Sequence, residues 1–516
     1  MMSPQVIDPA TLYADNRLFL DFLTRRETLD PFFERKPADF RKAAEARTEL
    51  SFPREALRDA LLAYNRGLGA SELTIENTER LAAPGTLCVL TGQQAGFLGG
   101  PAYTAYKILT AVRLARSLTA ELDVPVVPVF WLASEDHDFT EINRVRWPAD
   151  DGALRTVSFD WEGRGRAIEA LPITENIRAA TREIVGELDV SADIASLLVD
   201  DDAEDYAAWH ARIWCRMFAD DGLVLVEPRV VRPLSVPFFR DAIESADAIR
   251  ASIEKVSAEI ERAGYSPALD PARAGVPFLL TTTGERSRAD RASLDEATGG
   301  TYSADAALRP VLADTLFPTV ASVLGPGEIA YHAQLRPVYA RLRVPQPVFV
   351  PRHGYTLLSA EEADLLERLA ISQSAALAAG FDPQPALDAL IPDDVRGAFA
   401  DARDRVRDGL AELLPIVHGA DPGLEARWRQ VADRAARELG QLEDRVGRAK
   451  LARVGISAKG VRALLASLRP GGQLQERAIS LVYFLARFGI QWLHRLPGAD
   501  QPDRFSHYVV TIHDQA

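Results

Sequence analysis

Two short apolar stretches decide the fold of this chain: Thr86-Leu87-Cys88-Val89-Leu90-Thr91 and Val124-Pro125-Val126-Val127-Pro128-Val129-Phe130-Trp131-Leu132. Runs of this length and composition are typical of strands that are buried on both faces. Between them, residues 102–118 have a helical pattern that begins just after Pro101, where proline is tolerated. The order strand, helix, strand predicts a βαβ unit with two parallel strands, the second starting at Val126 or later because of its prolines.

The same alternation continues along the chain and indicates the fold class. Strands are predicted at residues 156–161, 223–227, 278–282, 319–324 and 348–350, and helices near 174–187, 204–219, 237–263 and 328–341. Alternating strands and helices predict an α/β fold with a parallel sheet. The segments from 151 to 205 and from 236 to 315 are too long for simple connections, so we interpret them as insertions.

After residue 356 the pattern is helical and the strands stop. Helices are predicted over residues 357–380, 385–413 and 422–468. In the last of these, apolar residues from Leu424 to Ala449 are close to a heptad repeat. As a single helix it would be about 70 Å long and would need a partner helix. The partner helix could come from a hairpin within the chain or from a second copy in a dimer-forming coiled coil. A final strand is predicted at residues 506–512.

The composition excludes several classes of function. The 516 residues include 59 Lys and Arg against 74 Asp and Glu, a formal net charge of −15. This balance argues against nucleic-acid binding and against attraction to an anionic membrane. No apolar run approaches the ~18 residues of a membrane-spanning helix, and the N-terminus lacks the basic and apolar regions of a secretory signal. We therefore expect a cytoplasmic protein.

The two cysteines, Cys88 and Cys215, predict neither a disulfide framework nor a metal site. Neither has a second cysteine or a histidine at metal-ligand spacing. Cys88 lies inside the first predicted strand, where a small core residue is expected.

The first candidate site is the glycine-rich segment 91–103, between the first strand and its helix. It contains Gln93, Gln94 and four glycines, Gly92 among them. Glycines allow a ligand to approach the backbone closely, and the start of the following helix favours an anion. The segment is neither a P-loop nor a GxGxxG fingerprint. A tight turn without a ligand explains it equally well.

The second candidate site follows the next strand, at Ser134-Glu135-Asp136-His137-Asp138-Phe139. The carboxyl ends of neighbouring parallel strands share one edge, where ligands bind. We therefore expect Gln93, Gln94, Asp136 and His137 to face the same crevice. The imidazole side chain of histidine can titrate near neutral pH, so the residue type at position 137 suits a general base. A metal ligand, or a helix cap formed by one of the aspartates, is the alternative.

Later turns add four candidates. Glu328 begins a helix after the glycine-rich turn that follows residues 319–324, and Tyr331 lies one turn further on. Arg352 follows residues 348–350, where its guanidinium could bind a ligand carboxylate or pair with a surface acid. Lys107 lies inside the first helix and could face either the crevice or the solvent.

Together these segments resemble the family of bacillithiol-biosynthesis cysteine-adding enzymes, the cysteine ligases. The matching stretches run from Thr91-Gly92-Gln93-Gln94-Ala95-Gly96 through Tyr103-Thr104-Ala105-Tyr106-Lys107 and then over residues 128–139, 325–331 and 474–477. The resemblance extends, in order, over nearly the whole chain.

The resemblance implies a Rossmann-like core with two connecting-peptide insertions, as in class I aminoacyl-tRNA synthetases, and a C-terminal α-helical coiled-coil domain that makes a homodimer. On this basis we divide the chain into 1–150 (N-terminal helices and the first half of the core), 151–205 (first insertion), 206–235 (core), 236–315 (second insertion), 316–375 (core), 376–470 (coiled coil) and 471–516 (return to the core).

The family resemblance also implies an activity and its small-molecule substrates. The carboxyl of L-cysteine is joined to the amine of glucosaminyl-malate in the last step of bacillithiol biosynthesis. An adenine nucleotide, ATP or ADP, is expected near the coiled coil.

From this reaction we assign hypothetical roles to the candidate residues. His137, oriented by Asp136, accepts the proton of the amine. The substrate-binding residues are Gly92, Gln93 and Gln94 for cysteine, Lys107 and Arg352 for the malate carboxylates, Glu328 and Tyr331 for sugar hydroxyls or the cysteine ammonium, and Tyr103.

Two alternatives from other classes remain. One is a nucleotidyl transferase of the same superfold, although the synthetase signatures His-x-Gly-His and Lys-Met-Ser-Lys-Ser are absent. The other is a non-catalytic scaffold in which the long helix is the functional part.

Overall fold

The computed structural model describes residues 4–149, 152–290, 301–389, 391, 393–453 and 455–512. Within these residues the chain forms two compact units. We call them the sheet unit, which comprises the described residues within Met1–Trp147, Arg155–Leu357 and Gln473–Ala516, and the helical unit, which comprises those within Pro148–Leu154 and Leu358–Gly472.

The strands are short, as expected for an α/β protein. In chain order they are β1 (Gln5–Ile7), β2 (Leu87–Gln93), β3 (Val126–Leu132), β4 (Arg144–Pro148), β5 (Leu154–Ser158), β6 (Val224–Val226), β7 (Phe278–Leu280), β8 (Arg286–Arg288), β9 (Tyr302–Ser303), β10 (Thr319–Leu324), β11 (Val348–Pro351), β12 (Gly354–Ser359) and β13 (His507–Ile512).

The α-helices range from single turns to nearly thirty residues. In chain order they are α1 (Pro9–Leu12), α2 (Arg17–Leu23), α3 (Phe40–Thr48), α4 (Arg54–Gly67), α5 (Glu72–Arg80), α6 (Tyr103–Leu122), α7 (Phe139–Ile142), α8 (Glu175–Glu187), α9 (Ala192–Leu198), α10 (Tyr206–Met217), α11 (Pro228–Val231), α12 (Val236–Glu244), α13 (Ala246–Arg262), α14 (Leu308–Leu316), α15 (Pro326–His332), α16 (Arg336–Arg341), α17 (Ala360–Arg368), α18 (Gln373–Leu377), α19 (Gln384–Ala389), α20 (Asp393–Ala420), α21 (Glu425–Arg453), α22 (Ala458–Leu468), α23 (Gln475–Ala478) and α24 (Leu481–Phe488).

A five-stranded parallel sheet forms the centre of the sheet unit. Its strand order is β11-β10-β2-β3-β6, and every neighbouring pair is parallel. In chain order, β3 and β6 follow β2 on one side of the sheet, and β10 and β11 then lie on the other side of β2. This is the doubly wound order of Rossmann-like folds, and its reversal between β2 and β10 opens a crevice at the carboxyl ends of these strands.

The sequence of β2 explains why the sheet is buried on both faces. Cys88 and Leu90 pack with Trp131 in the core on one face, whereas Leu87 and Val89 pack with apolar residues of α6 on the other. This alternation follows the two-residue period of a strand. Complete burial of each larger apolar side chain contributes roughly 1.5–3 kcal/mol.

The predicted α/β class with a Rossmann-like parallel sheet is confirmed. The strand predicted at residues 319–324 is β10, and β3 begins at Val126, as its prolines indicated. Two predicted single helices were wrong. The helix predicted at 237–263 is divided into α12 and α13, because Ser245 has a ψ of 2° that takes the backbone out of the helix. The helix predicted at 328–341 is divided into α15 and α16.

The prediction that strands stop at residue 356 was also wrong. β12 (Gly354–Ser359) belongs to a three-stranded sheet of order β1-β13-β12, and β1 pairs antiparallel with β13. The strand that pairs with β12 comes from the far end of the described chain. Because this pairing joins residues that are distant in sequence, no local sequence pattern indicates β12.

Each interruption of the parallel sheet has secondary structure of its own. Counting only the described residues, β4, β5 and four helices lie between β3 and β6, and four helices with the small sheet β8-β7-β9 lie between β6 and β10. The bounds assigned to the seven chain segments stay predictions.

The helical unit contains a hairpin of its two longest helices, α20 and α21. Trp428 Nε1 of α21 donates to the Leu410 carbonyl of α20 at 2.8 Å, and Arg403 pairs with Glu443. The single helix predicted over 422–468 was wrong: α21 is about 43 Å long, and α22 follows a turn at Gly455, whose φ is +73°. The hairpin within the chain is formed, and the dimer stays a prediction.

Across the ranges that the structure describes, no helix is both long enough and apolar enough to cross a membrane.

Candidate active site

A cavity of about 480 Å³ opens where the order of the parallel sheet reverses, between β2 and β10. We call it the inner cavity, and its wall comes from strand ends, loops and helices of the sheet unit. The polar side chains that line it include Thr91, Gln93, Gln94, Tyr103, Lys107, Asp136, Glu141, Arg309, Asp314, Ser322, Glu328, Tyr331, His332, Arg352 and Arg477.

A second cavity of about 440 Å³ adjoins the first, and we call it the outer cavity. Gln94, Asp136 and Glu141 line both cavities and therefore form the wall that they share. In that wall, Gln94 Nε2 donates to Asp136 Oδ2 at 3.2 Å. The outer cavity is lined in addition by His137, Asp138, Phe139, Thr140, Arg164 and Gly165.

The loop after β2 doubles back on itself, which explains its glycines. A Cβ on Gly96 would lie 2.6 Å from the Cα of Gly100, and Gly100 has a φ of +69° that glycine adopts without strain. Behind the loop, the Tyr206 hydroxyl donates to the Ala95 carbonyl at 3.0 Å. This compact turn keeps the preceding residue Gln94 on the cavity wall.

Lys107 faces the crevice and not the solvent, with 1% of its side chain exposed. Its Nζ donates to the Gly92 carbonyl at 2.5 Å, to Glu328 Oε2 at 2.7 Å and to Gln93 Oε1 at 3.3 Å. Burial lowers the pKa of Lys107, and the charge of Glu328 opposes this change. Lys107 thereby links the end of β2 to the start of α15 across the crevice.

Tyr103 packs beneath two arginines of the inner cavity. Gln93 Nε2 donates to its hydroxyl at 3.0 Å, and the guanidinium carbons of Arg352 and Arg477 lie 5.3 Å and 5.7 Å from the ring centroid. These distances are typical of cation–π contacts. Burial raises the pKa of Tyr103 to about 12.

Arg352 lines the inner cavity but already has a carboxylate partner. Its Nη2 donates to Glu476 Oε1 at 2.6 Å and its Nη1 to the His353 carbonyl at 3.0 Å. Glu476 Oε2 also accepts from the Tyr355 amide at 3.0 Å, and both charged side chains are buried. The acid that pairs with Arg352 is therefore an interior group, not the surface acid considered from sequence.

Asp136 is an anion held by several donors. Oδ1 accepts from the His137 amide at 2.7 Å, and Oδ2 accepts from Gln94 and from Arg309 Nη2, each at 3.2 Å. Burial acts to raise the pKa of Asp136, but the hydrogen bond from His137 and the charges of Arg309 and Arg286 lower it overall.

His137 lies in the outer cavity, next to Asp136 but apart from the inner cavity. Its Nδ1 lies 2.8 Å from Arg286 Nη1, and because a guanidinium only donates, Nδ1 accepts. The same Nδ1 lies 3.5 Å from Asp136 Oδ1. Asp138 caps α7 by accepting from the Thr140 amide at 3.1 Å. The catalytic role of His137 stays a prediction.

Glu328 and Tyr331 line the inner cavity from α15. Glu328 Oε2 accepts from the Gly325 amide at 2.7 Å as well as from Lys107, so it is a helix cap and an ion-pair partner at once. Burial raises the pKa of Tyr331 and lowers the pKa of the adjacent His332 to about 3. These buried groups are therefore neutral near pH 7.

The residues of the cavity walls that were not predicted from the sequence include Arg309, Arg477 and Glu141. Arg309 comes from α14, inside a segment interpreted as an insertion, and donates to Glu135 at 3.1 Å and to Asp136. Arg477 lies in one of the stretches that carry the family resemblance, but received no role. Glu141 lies two residues beyond the segment 134–139, and the helix that follows that segment was the available signal.

No three His, Cys, Asp or Glu side chains within the described ranges are grouped so that they could hold a metal ion.

Comparison with known protein families matches both parts of the chain. Residues 5–299 and 292–353 match the N-terminal Rossmann-like domain of the bacillithiol biosynthesis protein BshC, and residues 355–512 match its C-terminal coiled-coil domain.

Full-length relatives agree with this result. A protein of Koribacter versatilis is 30% identical over 96% of this chain and 98% of its own length, and one of Geobacillus thermodenitrificans is 30% identical over 90% and 91%. A protein of Symbiobacterium thermophilum is 31% identical over 86% and 87%. All three carry the name "putative cysteine ligase BshC". The resemblance noted from the motifs is confirmed, and the chain belongs to the bacillithiol biosynthesis BshC family.

Proposed function

We propose that this protein joins the carboxyl group of L-cysteine to the amine of glucosaminyl-malate, the last step of bacillithiol biosynthesis. Family membership supports the assignment, because relatives that match most of the chain are named for a cysteine ligase activity. The observation that carries it is the inner cavity, whose wall offers both carboxylates and an arginine without an ion-pair partner. Glucosaminyl-malate has an ammonium and two carboxylates, which complement such a wall.

In this proposal Arg477 binds a malate carboxylate. Its side chain is exposed at the inner cavity and, among the residues that the structure describes, forms no ion pair. A guanidinium binds a carboxylate through two parallel hydrogen bonds. Lys107 and Arg352 are already paired with carboxylates of the protein. They shape the cavity, and their direct contact with malate stays a prediction.

The loop after β2 would hold the cysteine. Gln93 and Gln94 lie on the cavity wall next to the Gly92 backbone, within reach of a small amino acid. Tyr103, Glu328 and Tyr331 would contact the sugar hydroxyls or the cysteine ammonium. Holding both substrates in one crevice contributes to catalysis by making their encounter effectively unimolecular.

A free carboxylate is a poor electrophile, so the cysteine carboxyl needs activation before an amine attacks it. We propose ATP as the co-substrate, which would give an acyl-adenylate or an acyl-phosphate. The location of an adenine nucleotide near the coiled coil is part of the same proposal and rests on the family resemblance.

We also propose that the helical unit forms a homodimer. Leu413, Ile416, Val431 and Leu442 on α20 and α21 are 46–68% exposed, although each is large and apolar. Several such side chains on paired helices are typical of an interaction surface.

The function is tested with purified protein, cysteine, glucosaminyl-malate and ATP, followed by mass spectrometry of the thiol products. We expect bacillithiol to form only when both substrates are present, and serine in place of cysteine to give little product. Consumption of ATP without an amide product would contradict the ligase assignment and would favour a nucleotidyl transferase.

A further inference from the structure

We infer that Glu141 is the catalytic residue that accepts the proton of the attacking amine, an assignment that rests on the proposed ligase function. The proton acceptor must reach the amine where the two substrates meet. Glu141 comes from the single-turn helix α7, directly after the segment that contains Asp136 and His137.

The position of Glu141 places it at the junction of the two cavities. It lines the inner and the outer cavity together with Gln94 and Asp136. Gln94, which the proposed function assigns to cysteine, lies in the same wall, so an amine that attacks the cysteinyl carbon from the inner cavity would pass beside Glu141. Of the three wall residues, Gln94 is a neutral amide and has no basic group.

Neighbouring candidates for the base are already engaged. Asp136 accepts from the His137 amide, from Gln94 and from Arg309. Asp138 accepts from the backbone amide and the hydroxyl of Thr140. The Nδ1 lone pair of His137 accepts from Arg286.

Glu141, by contrast, is hydrogen-bonded to the neutral amide of Gln94 and has no ion pair with any residue that the structure describes. Its side chain is accessible to solvent from the cavities. A ligand amine can therefore approach its carboxylate without displacing a cation of the protein.

The surroundings of Glu141 also favour proton uptake. Partial burial and the negative charges of Asp138 and Asp136 raise the pKa of Glu141, whereas Gln94 and Arg477 act in the opposite direction. A base is most effective when its pKa lies closer to the working pH. Asp136, whose pKa is lowered, is a weaker proton acceptor.

The proposed step balances as follows. The substrate ammonium gives one proton to the Glu141 carboxylate and becomes a neutral amine. The nitrogen lone pair forms the C–N bond with the activated cysteinyl carbon, and the C–O bond to the phosphate leaving group breaks, with its electron pair staying on the phosphate oxygen. The nitrogen loses its second proton to that oxygen, and Glu141 releases its proton to water.

The test compares Glu141→Gln with a matched control, Glu72→Gln. Both glutamates are exposed and lie in the first turn of a helix, but Glu72 begins α5, away from both cavities. With cysteine, glucosaminyl-malate and ATP, we expect Glu141→Gln to lower kcat by about 10²- to 10⁴-fold with little change in KM, the range for loss of a general base. Glu72→Gln should match the wild-type protein.

Two further variants make the assignment specific. Glu141→Ala leaves space for a small carboxylate, and added formate should restore part of its rate. His137→Gln separates this assignment from a base at His137, which would confine the loss of rate to that variant. A wild-type kcat in Glu141→Gln, or a loss of rate confined to His137→Gln, would overturn the role of Glu141 and leave the ligase function standing. No amide product from the wild-type protein would overturn both.

Discussion

Among the described cations of the inner cavity, Lys107, Arg309 and Arg352 are paired with carboxylates of the protein, whereas Arg477 is not, and this difference separates structural cations from a cation available to a ligand. Lys107 and Arg352 are almost fully buried, and each has a carboxylate of the protein within 2.7 Å. Arg477 is exposed at the same cavity, and its described neighbours offer it a tyrosine ring but no ion pair. The first two hold strands and loops together. Arg477 is the cation that a negatively charged ligand can reach.

The largest effect is expected where a buried pair is broken. Glu476→Gln leaves the Arg352 guanidinium buried without its counter-charge, which costs about 3–5 kcal/mol of unfolding free energy. Urea unfolding of the wild type and the variant measures this difference. The double variant Arg352→Met/Glu476→Leu should recover most of it, and equal stability of Glu476→Gln and the wild type would contradict the comparison.

The same pair predicts a pH dependence. The charge of Arg352 lowers the pKa of Glu476 even though burial opposes this. A carboxyl with a lowered pKa in the folded state stabilises the protein above its unfolded pKa of about 4.3 and loses that contribution as the pH falls. Wild-type stability should therefore decline between pH 5 and 3 more steeply than that of Glu476→Gln. If the unfolding free energies of the two proteins changed in parallel with pH, the ion pair would not contribute to the pH dependence of stability.

A smaller effect on stability is expected at Lys107, because its partner Glu328 is 28% exposed and water can replace part of the contact. Lys107→Met leaves the Gly92 carbonyl and Glu328 without this donor, and we expect a loss of about 1–3 kcal/mol. Thermal unfolding measures it. Activity should fall as well, since the wall of the crevice moves. Full stability and full activity in this variant would show that Lys107 does not link the two strand ends.

Arg477→Met should change stability by no more than about 0.5 kcal/mol, as is usual for an exposed residue. Its effect should appear in binding: the KM for glucosaminyl-malate should rise about 10- to 100-fold, the equivalent of one or two lost hydrogen bonds to a charged group. The KM for cysteine serves as the internal control and should not change. An equal rise in the KM for glucosaminyl-malate and the KM for cysteine would show that Arg477 shapes the cavity and does not bind malate specifically.

The smallest effect on folding is expected in the helical unit, where the exposed groups of interest are apolar side chains. Leu442→Glu should leave the unfolding free energy within about 0.5 kcal/mol. It should nevertheless convert the proposed dimer to a monomer in light scattering after size exclusion. The neighbouring exposed residue provides the control, Gln441→Glu, which should remain dimeric. If the Leu442→Glu variant is still a dimer, the dimer interface does not include Leu442.

The central sheet and the edge that carries the site were predictable because their signals are local. Each strand of the sheet is a short apolar run, and the order of the runs places Gln93 and Asp136 at one rim. β12 was not predictable, since the strand it pairs with is distant in sequence. The break between α21 and α22 was missed because the sequence is helical in character on both sides of the turn at Gly455, although the heptad repeat itself ends at Ala449.

The same distinction applies to the side chains of the site. Lys107 was predicted as a candidate from its place in the first helix, but its pairing with Glu328 joins residues 221 positions apart. Arg309 and Arg477 reach the cavity from segments whose position depends on the whole fold. Sequence thus indicates which residues carry chemistry, whereas the partner of each charge is decided by tertiary contacts.

The pairing of Arg352 with a residue 124 positions later has a consequence for synthesis on the ribosome. All five strands of the parallel sheet have been translated once β11 is complete, yet Glu476 has not. Until it emerges from the exit tunnel, the guanidinium of Arg352 needs water or a temporary partner. The crevice is therefore completed only after the coiled-coil segment has been translated, and nascent chains that stop in the coiled coil carry an open, hydrated site.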